Sequence, residues 1–395
     1  MGNTQVYVLG ACRTAIGTFG GTLRAVYPVE LGVHVAKAVV DRAAVAPSDV
    51  DLVVFGNALV TDAQGGNPAR QIAVKAGLPI ETPAYTVNSN CSSGMVAVIS
   101  AAQAIISGDS QCVLAGGTEN MSLAPYLAPT ARWGARMGHT NLLDVLRLGL
   151  DDPLGGPMDV TAESIAQKYG ITREEQDRFA VESQNKAERA IAEGRFDDEI
   201  VPLAIPQRGK EPLVFKVDEH VKPGTTYEKL VALKPAFRKE GTVTAGNASG
   251  INDGASALIL ASEQFVRDRG VTPLARVVSY ATAGVEPAYM GLGPVPATIK
   301  ALGSAGLSLS DMDLIECNEA FAAQVLGVER ELKWDRSKLN VNGGAIALGH
   351  PVGATGAILL TKLIYEARRR GARYGLATLC VGGGQGAAVI LGFDV

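Results

Sequence analysis

The chain has 395 residues, of which 47% are hydrophobic, 19% charged and only 5% aromatic. Its 46 glycines lie in an apolar background without a Gly-X-Y period, which excludes disordered and collagenous chains, and its length suits two or three domains. A net charge of −4 leaves no basic footprint, so no nucleic-acid partner is expected.

In chain order, an Ala-rich helical pattern over 31–45 leads into Pro-Ser-Asp-Val-Asp-Leu-Val-Val-Phe-Gly at 47–56. A strand-like segment, Ala84 to Val87, is followed by small polar residues and an apolar helix pattern over 95–107. Residues 120–248 are polar and differently built, with Thr172-x-x-Glu175 as a capping box before a helix through about 193. Gly254 to Leu260 returns to a strand pattern. A second Ala-rich helical pattern over 297–306 precedes Leu-Ser-Asp-Met-Asp-Leu-Ile-Glu-Cys-Asn at 309–318. A helix from Gly356 to about 369 is predicted next, ending at the solvated cluster Arg368 to Arg370. The apolar run Leu376 to Leu379, a Gly-rich turn and the strand Ala387 to Leu391 complete the chain.

The shared Ser-Asp-x-Asp-Leu recurs at an offset of 262, and the Gly108 and Gly371 segments recur at 263. Two near-constant offsets imply duplicated halves, with about 130 residues inserted into the first. The expected division is 1–120 with 249–271, an inserted unit at 121–248, and 272–395.

Five cysteines, at 12, 91, 112, 317 and 380, form an odd and dispersed set, which favours reduced thiols and a cytoplasmic setting. The start Met1-Gly2-Asn3-Thr4-Gln5 lacks signal-peptide features, and no apolar run of ~18–20 residues suggests a membrane span. With no CxxC pair and four histidines, no metal is expected.

Five segments could carry chemistry. Cys91, in Asn88-Ser-Asn-Cys-Ser-Ser-Gly94, sits at a strand–turn–helix joint where a helix N-terminus favours thiolate; a buried structural cysteine is the competing reading. His350 follows a glycine-dense stretch, and the half-repeat puts it near the Cys91 joint, where it could take the thiol proton. Cys380-Val-Gly-Gly-Gly-Gln-Gly386 reads as a tight turn whose backbone N–H groups could hold an oxyanion, beside a second thiol. Glu316-Cys-Asn-Glu-Ala-Phe321 ends a strand at a helix start, and Thr244 to Gly250 is a small-residue loop suited to close ligand approach. A plain cap and a plain turn compete at these two.

Together, Asn-x-x-Cys91-Ser-Ser-Gly, Asn318-Glu-Ala-Phe, Gly349-His350-Pro351-x-Gly and Cys380-x-Gly-Gly-Gly-x-Gly resemble the thiolases, in the acetyl-CoA acetyltransferase and β-ketothiolase branch. Gly241 to Gly250 and Met121-Ser-Leu-Ala-Pro-Tyr126 also match. The resemblance implies an α/β thiolase fold of two duplicated halves, layered α-β-α-β-α with an inserted loop domain, and coenzyme A thioesters as substrates without a resident cofactor. It implies Cys91 as the acylated nucleophile, His350 as its activator and Cys380 as the α-carbon acid/base. Asn318 through a water, with His350, would form one oxyanion hole; the N–H groups of Cys91 and Gly382 would form the other. Ser249 and Ala245 would contact pantetheine, and Phe237, Met158, Met290, Ala320 and Phe321 would shape the channel.

Many short-chain members carry His-Met-Gly where this chain has Pro157-Met158-Asp159. That departure leaves a broader-chain 3-ketoacyl-CoA thiolase as the alternative. A decarboxylating ketoacyl-synthase-type enzyme and a non-catalytic acyl-CoA carrier are further readings. The segment 124–137 resembles the family's tetramer-forming loop, so a homotetramer, a dimer of dimers, is expected.

Overall fold

A computed structural model describes residues 4–61 and 66–395 of the chain. The expectations on Met1 to Asn3 lie outside the described residues. In the first half, β1 (Val6–Arg13), α1 (Pro28–Arg42), β2 (Leu52–Gly56), α2 (Pro68–Ala76), β3 (Ala84–Val87), α3 (Ser93–Ser107) and β4 (Cys112–Asn120) follow in order. Next come α4 (Met158–Tyr169), α5 (Arg173–Ala192) and β5 (Asn252–Ser262). The remainder holds β6 (Ala275–Gly284), α6 (Pro294–Ala305), β7 (Leu314–Cys317), α7 (Ala322–Leu332), α8 (Val352–Arg370), β8 (Tyr374–Val381) and β9 (Gln385–Gly392).

Strand register exposes the duplication. Leu52 of β2 pairs in parallel with Val113 of β4, and Leu314 of β7 pairs in parallel with Gly375 of β8, with both partners displaced by 262. In each half the next two pairings are antiparallel: β4–β5 and β5–β1, then β8–β9 and β9–β6. The halves join through two residue pairs, Tyr7 with Arg276 and Val8 with Ala275. The result, among the described residues, is one ten-stranded sheet ordered β7-β8-β9-β6-β1-β5-β4-β2-β3, with short Gly17–Thr18 on β5. The β8–β9 connection is the turn 382–384, whereas the equivalent β4–β5 connection runs through 121–251.

Side chains alternate along the strands, so each half-sheet buries two faces. Val53 and Phe55 pack outward with α1 and α2, while Leu52 and Val54 pack inward against α3 and α8. In the second half, Ile315 and Cys317 face an outer cluster containing Ala297, Ala301 and Val325 of α6 and α7, and Leu314 faces inward. The inner cluster takes Met95 and Ile105 of α3, Leu360 and Ile364 of α8, and strand residues of both halves. Two helices sandwiched between two half-sheets, each covered outside by helices, make the five layers.

Two expectations change. Helix α8 begins at Val352, four residues before the expected Gly356, because its glycines are contact points rather than turn residues. A Cβ on Gly356 would lie 2.3 Å from the Met95 backbone nitrogen, and one on Gly353 would lie 2.6 Å from Glu119 Oε2. Bare backbone there lets α3 and α8 approach. The window Asn90–Ser107 also reaches 18 residues at mean hydropathy 1.3, long enough to cross a membrane by length and composition. Its apolarity has another source: α3 lies between both half-sheets, and most of the window, 61%, is buried, largely in the inner cluster.

Candidate active site

Strand β3 delivers the chain to the Cys91 turn. Asn90 adopts φ 45°, in the left-handed region, and the turn is tied by its own serines. Ser92 donates to the Ser89 carbonyl at 3.0 Å, and Ser93 donates to the Asn90 carbonyl at 2.7 Å. Burial pushes the Cys91 thiol up to about 11, while the backbone N–H groups of Gly382 and of Cys91 itself pull it down. The expected thiolate is therefore corrected: desolvation outweighs the helix terminus, and the resting sulfur is a neutral thiol. Two N–H groups still face it, those proposed for an oxyanion hole.

His350 lies at the start of α8. Its Nδ1 is 2.7 Å from Thr355 Oγ1, and that hydroxyl donates to the Pro351 carbonyl at 2.9 Å. A hydroxyl has one proton, so Thr355 accepts from Nδ1–H, and Nε2 carries the lone pair. Nε2 is 3.5 Å from Asn318 Nδ2. Burial lowers His350 to about 4, so the imidazole is a neutral base at physiological pH. The His350 N–H donates to Asn252 Oδ1 at 2.9 Å, which anchors the loop to β5 of the other half.

Cys380 closes β8 at the glycine turn, where Gly383 and Gly384 take φ 89° and 82°. Gly383 N–H donates to Asp152 Oδ2 at 2.8 Å, and Asn90 Nδ2 donates to the Gly382 carbonyl at 3.2 Å. Burial, then the neighbouring Cys91 and Cys317, hold the Cys380 thiol protonated well above its ordinary range.

A cavity of about 360 Å³ brings these groups together. Cys91, His350 and Cys380 line it with Met158, Phe237, Ser249, Met290, Ala320 and Phe321, nine of the twelve expected site residues. The other three lie off its wall. Asn318 is buried behind His350, Gly382 sits beside the Cys91 sulfur, and Ala245 is exposed on the 244–250 loop. That loop is held to the Asn318 loop by Ser249 N–H donating to the Ala320 carbonyl at 2.9 Å.

Sequence reasoning missed a buried acid that ties a first-half loop to the start of α8. Glu119, at the end of β4, accepts from the N–H groups of Ala58 at 2.9 Å, Leu59 at 3.2 Å and Gly353 at 2.8 Å. It thereby clamps a first-half loop to the start of α8, and burial raises it to about 7. Its signal was an acid in the fully buried strand Cys112–Asn120, between Thr118 and Asn120 at its end. Glu319 plays a similar part, accepting from Ser183 at 2.6 Å and Asn340 at 2.8 Å beneath the Asn318 loop.

Residues 6–264 match the thiolase N-terminal domain, and residues 271–392 match the thiolase C-terminal domain. The chain is 54% identical to the acetyl-CoA acetyltransferase of Pseudomonas aeruginosa over 392 residues, 99% of this chain and 100% of that one. It is 53% identical to that of Cupriavidus necator over 388 residues, 98% of each chain. The Bacillus anthracis acetyl-CoA acetyltransferase structure superposes with a TM-score of 0.96 at 49% identity, covering 99% of this chain and 100% of that one. Human mitochondrial 3-ketoacyl-CoA thiolase gives a TM-score of 0.96 at 46% identity, with 99% of each chain covered. The duplicated sheet, the paired helix starts and these full-length likenesses agree: the chain belongs to the thiolase family.

Proposed function

We propose that this thiolase is an acetyl-CoA acetyltransferase. It joins two acetyl-CoA into acetoacetyl-CoA and free coenzyme A by a reversible Claisen condensation, through a ping-pong acyl-cysteine route. The observation that carries this is two buried thiols, Cys91 and Cys380, meeting one neutral imidazole, His350, on one cavity.

The protons balance with these three groups. His350 Nε2 takes the Cys91 proton as the sulfur attacks the first thioester carbonyl. Collapse expels coenzyme A thiolate, which takes the Cys380 proton. Acetyl-Cys91, an imidazolium and a Cys380 thiolate remain. The thiolate removes the α-proton of the second acetyl-CoA, and the carbanion attacks the acetyl carbonyl. Cys91 leaves and regains its proton from His350. One oxyanion is held by the N–H groups of Cys91 and Gly382, the other by His350 and, through a water, Asn318. Loss of one such donor costs about 3–4 kcal/mol of transition-state stabilisation.

Ser249 and Ala245 are assigned to the pantetheine arm; Phe237, Met158, Met290, Ala320 and Phe321 shape the channel. Coenzyme A enters as substrate and product, and each proton transfer in the scheme is to or from Cys91, His350 or Cys380. The division into 1–120 with 249–271, 121–248 and 272–395 is supported by the 262-residue register and the long β4–β5 connection. A homotetramer built through 124–137 is supported by exposed Tyr126, Trp133 and Met137 on that segment. Five buried cysteines without disulfides support a reducing, cytoplasmic setting.

Brief exposure to acetyl-CoA followed by peptide mass spectrometry should find one acetyl group on Cys91. Tight coenzyme A binding without acyl enzyme would overturn the reading. Thiolysis across 3-ketoacyl-CoAs should drop sharply beyond acetoacetyl-CoA; a flat profile would favour the broader-chain alternative.

A further inference from the structure

The Cys380 side of the cavity is not wholly apolar. Met158, Met290, Leu150 and Phe321 pack there with Cys380, but Arg147 and Asp159 also line the cavity. Asp159 follows Met158 in the first turn of α4, and its side chain is only 9% exposed. Its Oδ2 lies 3.5 Å from Nη1 of Arg147, on the short helix Val145–Leu150. Arg147 Nε also donates to Asp151 at 3.0 Å. Asp151 pairs with Pro157 across a two-residue ladder, and the adjacent Asp152 accepts from Gly383 N–H at 2.8 Å. The roof over the cavity is thus pinned to α4 by Arg147–Asp159 and to the glycine turn by Asp152.

Each methylene beyond an acetyl group laid along this wall would meet a carboxylate already nine-tenths buried, whose arginine partner, at 3.5 Å and half-exposed, compensates it weakly, so the chain would find buried charge in place of apolar surface. A carboxylate-tipped acyl chain fares no better. Asp144, Asp151 and Asp159 outnumber the single Arg147 around that wall.

We propose that the Arg147–Asp159 pair closes the Cys380 side of the acyl cavity and confines the enzyme to short, uncharged acyl groups. This rests on the thiolase reading above and adds the residues that set its chain length.

The test is the ratio of kcat/KM for 3-ketohexanoyl-CoA to that for acetoacetyl-CoA in thiolysis. Asp159→Ala should raise that ratio at least tenfold over the unaltered chain. Asp159→Asn, which keeps the volume and removes the charge, should raise it by a smaller factor. If Asp159→Ala fails to fold, the isosteric Asn variant decides. A ratio within twofold of the unaltered chain in the folded variants, including an equal fall for both substrates, overturns the proposal and leaves Asp159 a structural helix-start acid. Failure of the unaltered chain to cleave acetoacetyl-CoA would instead overturn the thiolase reading, and this proposal with it.

Discussion

The two halves share register and strand direction but finish the same hairpin differently. After β8, three residues turn the chain back into β9; after β4, 131 residues intervene before β5. The short turn carries Gly382 and follows Cys380, so the second half ends its hairpin at the cavity floor. The long one carries Met158, Phe237 and Ser249, so the first half spends its connection on a roof. The halves thus share two facing helix starts and differ in one connection, a glycine turn beside Cys380 in one and a roof over the cavity in the other.

Substitutions at the two helix starts test that division most severely. Cys91→Ser should lower acetoacetyl-CoA thiolysis by at least about 10³-fold, because the hydroxyl is a far weaker nucleophile with the same base. Retained steady-state thiolysis would remove Cys91 from its role. On the second-half turn, Cys380→Ser should still form acyl enzyme from acetyl-CoA while condensation falls by roughly 10²–10⁴-fold. Rapid condensation by that variant would show that the turn does not supply the base.

Between the halves, Gly356→Ala forces a methyl group against the Met95 nitrogen. It should destabilise the fold by about 1–3 kcal/mol in denaturant melts, with no specific effect on substrate choice. Thr355→Val removes the acceptor that orients His350 Nδ1–H and should cut kcat by about tenfold while leaving KM near its original value. An unchanged kcat would mean that packing alone orients the ring.

The smallest effect concerns pH. Burial raises Glu119 from 4.5 to about 7, so the native state binds more protons than the unfolded chain between those values. The Glu119 contribution to stability therefore falls as pH rises from about 4.5 to about 7 and does not change above. Glu119→Gln should flatten that window relative to the unaltered chain; matching pH profiles would place the titration elsewhere.

The Cys91, His350 and Cys380 segments were legible because their local chemistry is written in consecutive residues: small polar turn formers before a helix, glycines before a histidine, a glycine run after a strand. The strand Ala84–Val87 and the capped helix at Thr172 were legible for the same reason. The Glu119 clamp was not, since its partner Gly353 is 234 residues away, and neither was the Arg147–Asp159 wall, whose two residues lie on separate helices.

The sequence by itself exposed the 262-residue repeat and singled out Cys91, His350 and Cys380 as candidates, because periodicity, turn formation and functional-group chemistry are local properties. Tertiary structure alone decided their protonation states. Helix termini favoured a thiolate at Cys91, but burial beneath both half-sheets outweighed them, leaving a neutral thiol beside a neutral imidazole. Desolvation depends on what surrounds a group in space, and that environment comes from chain segments hundreds of residues apart.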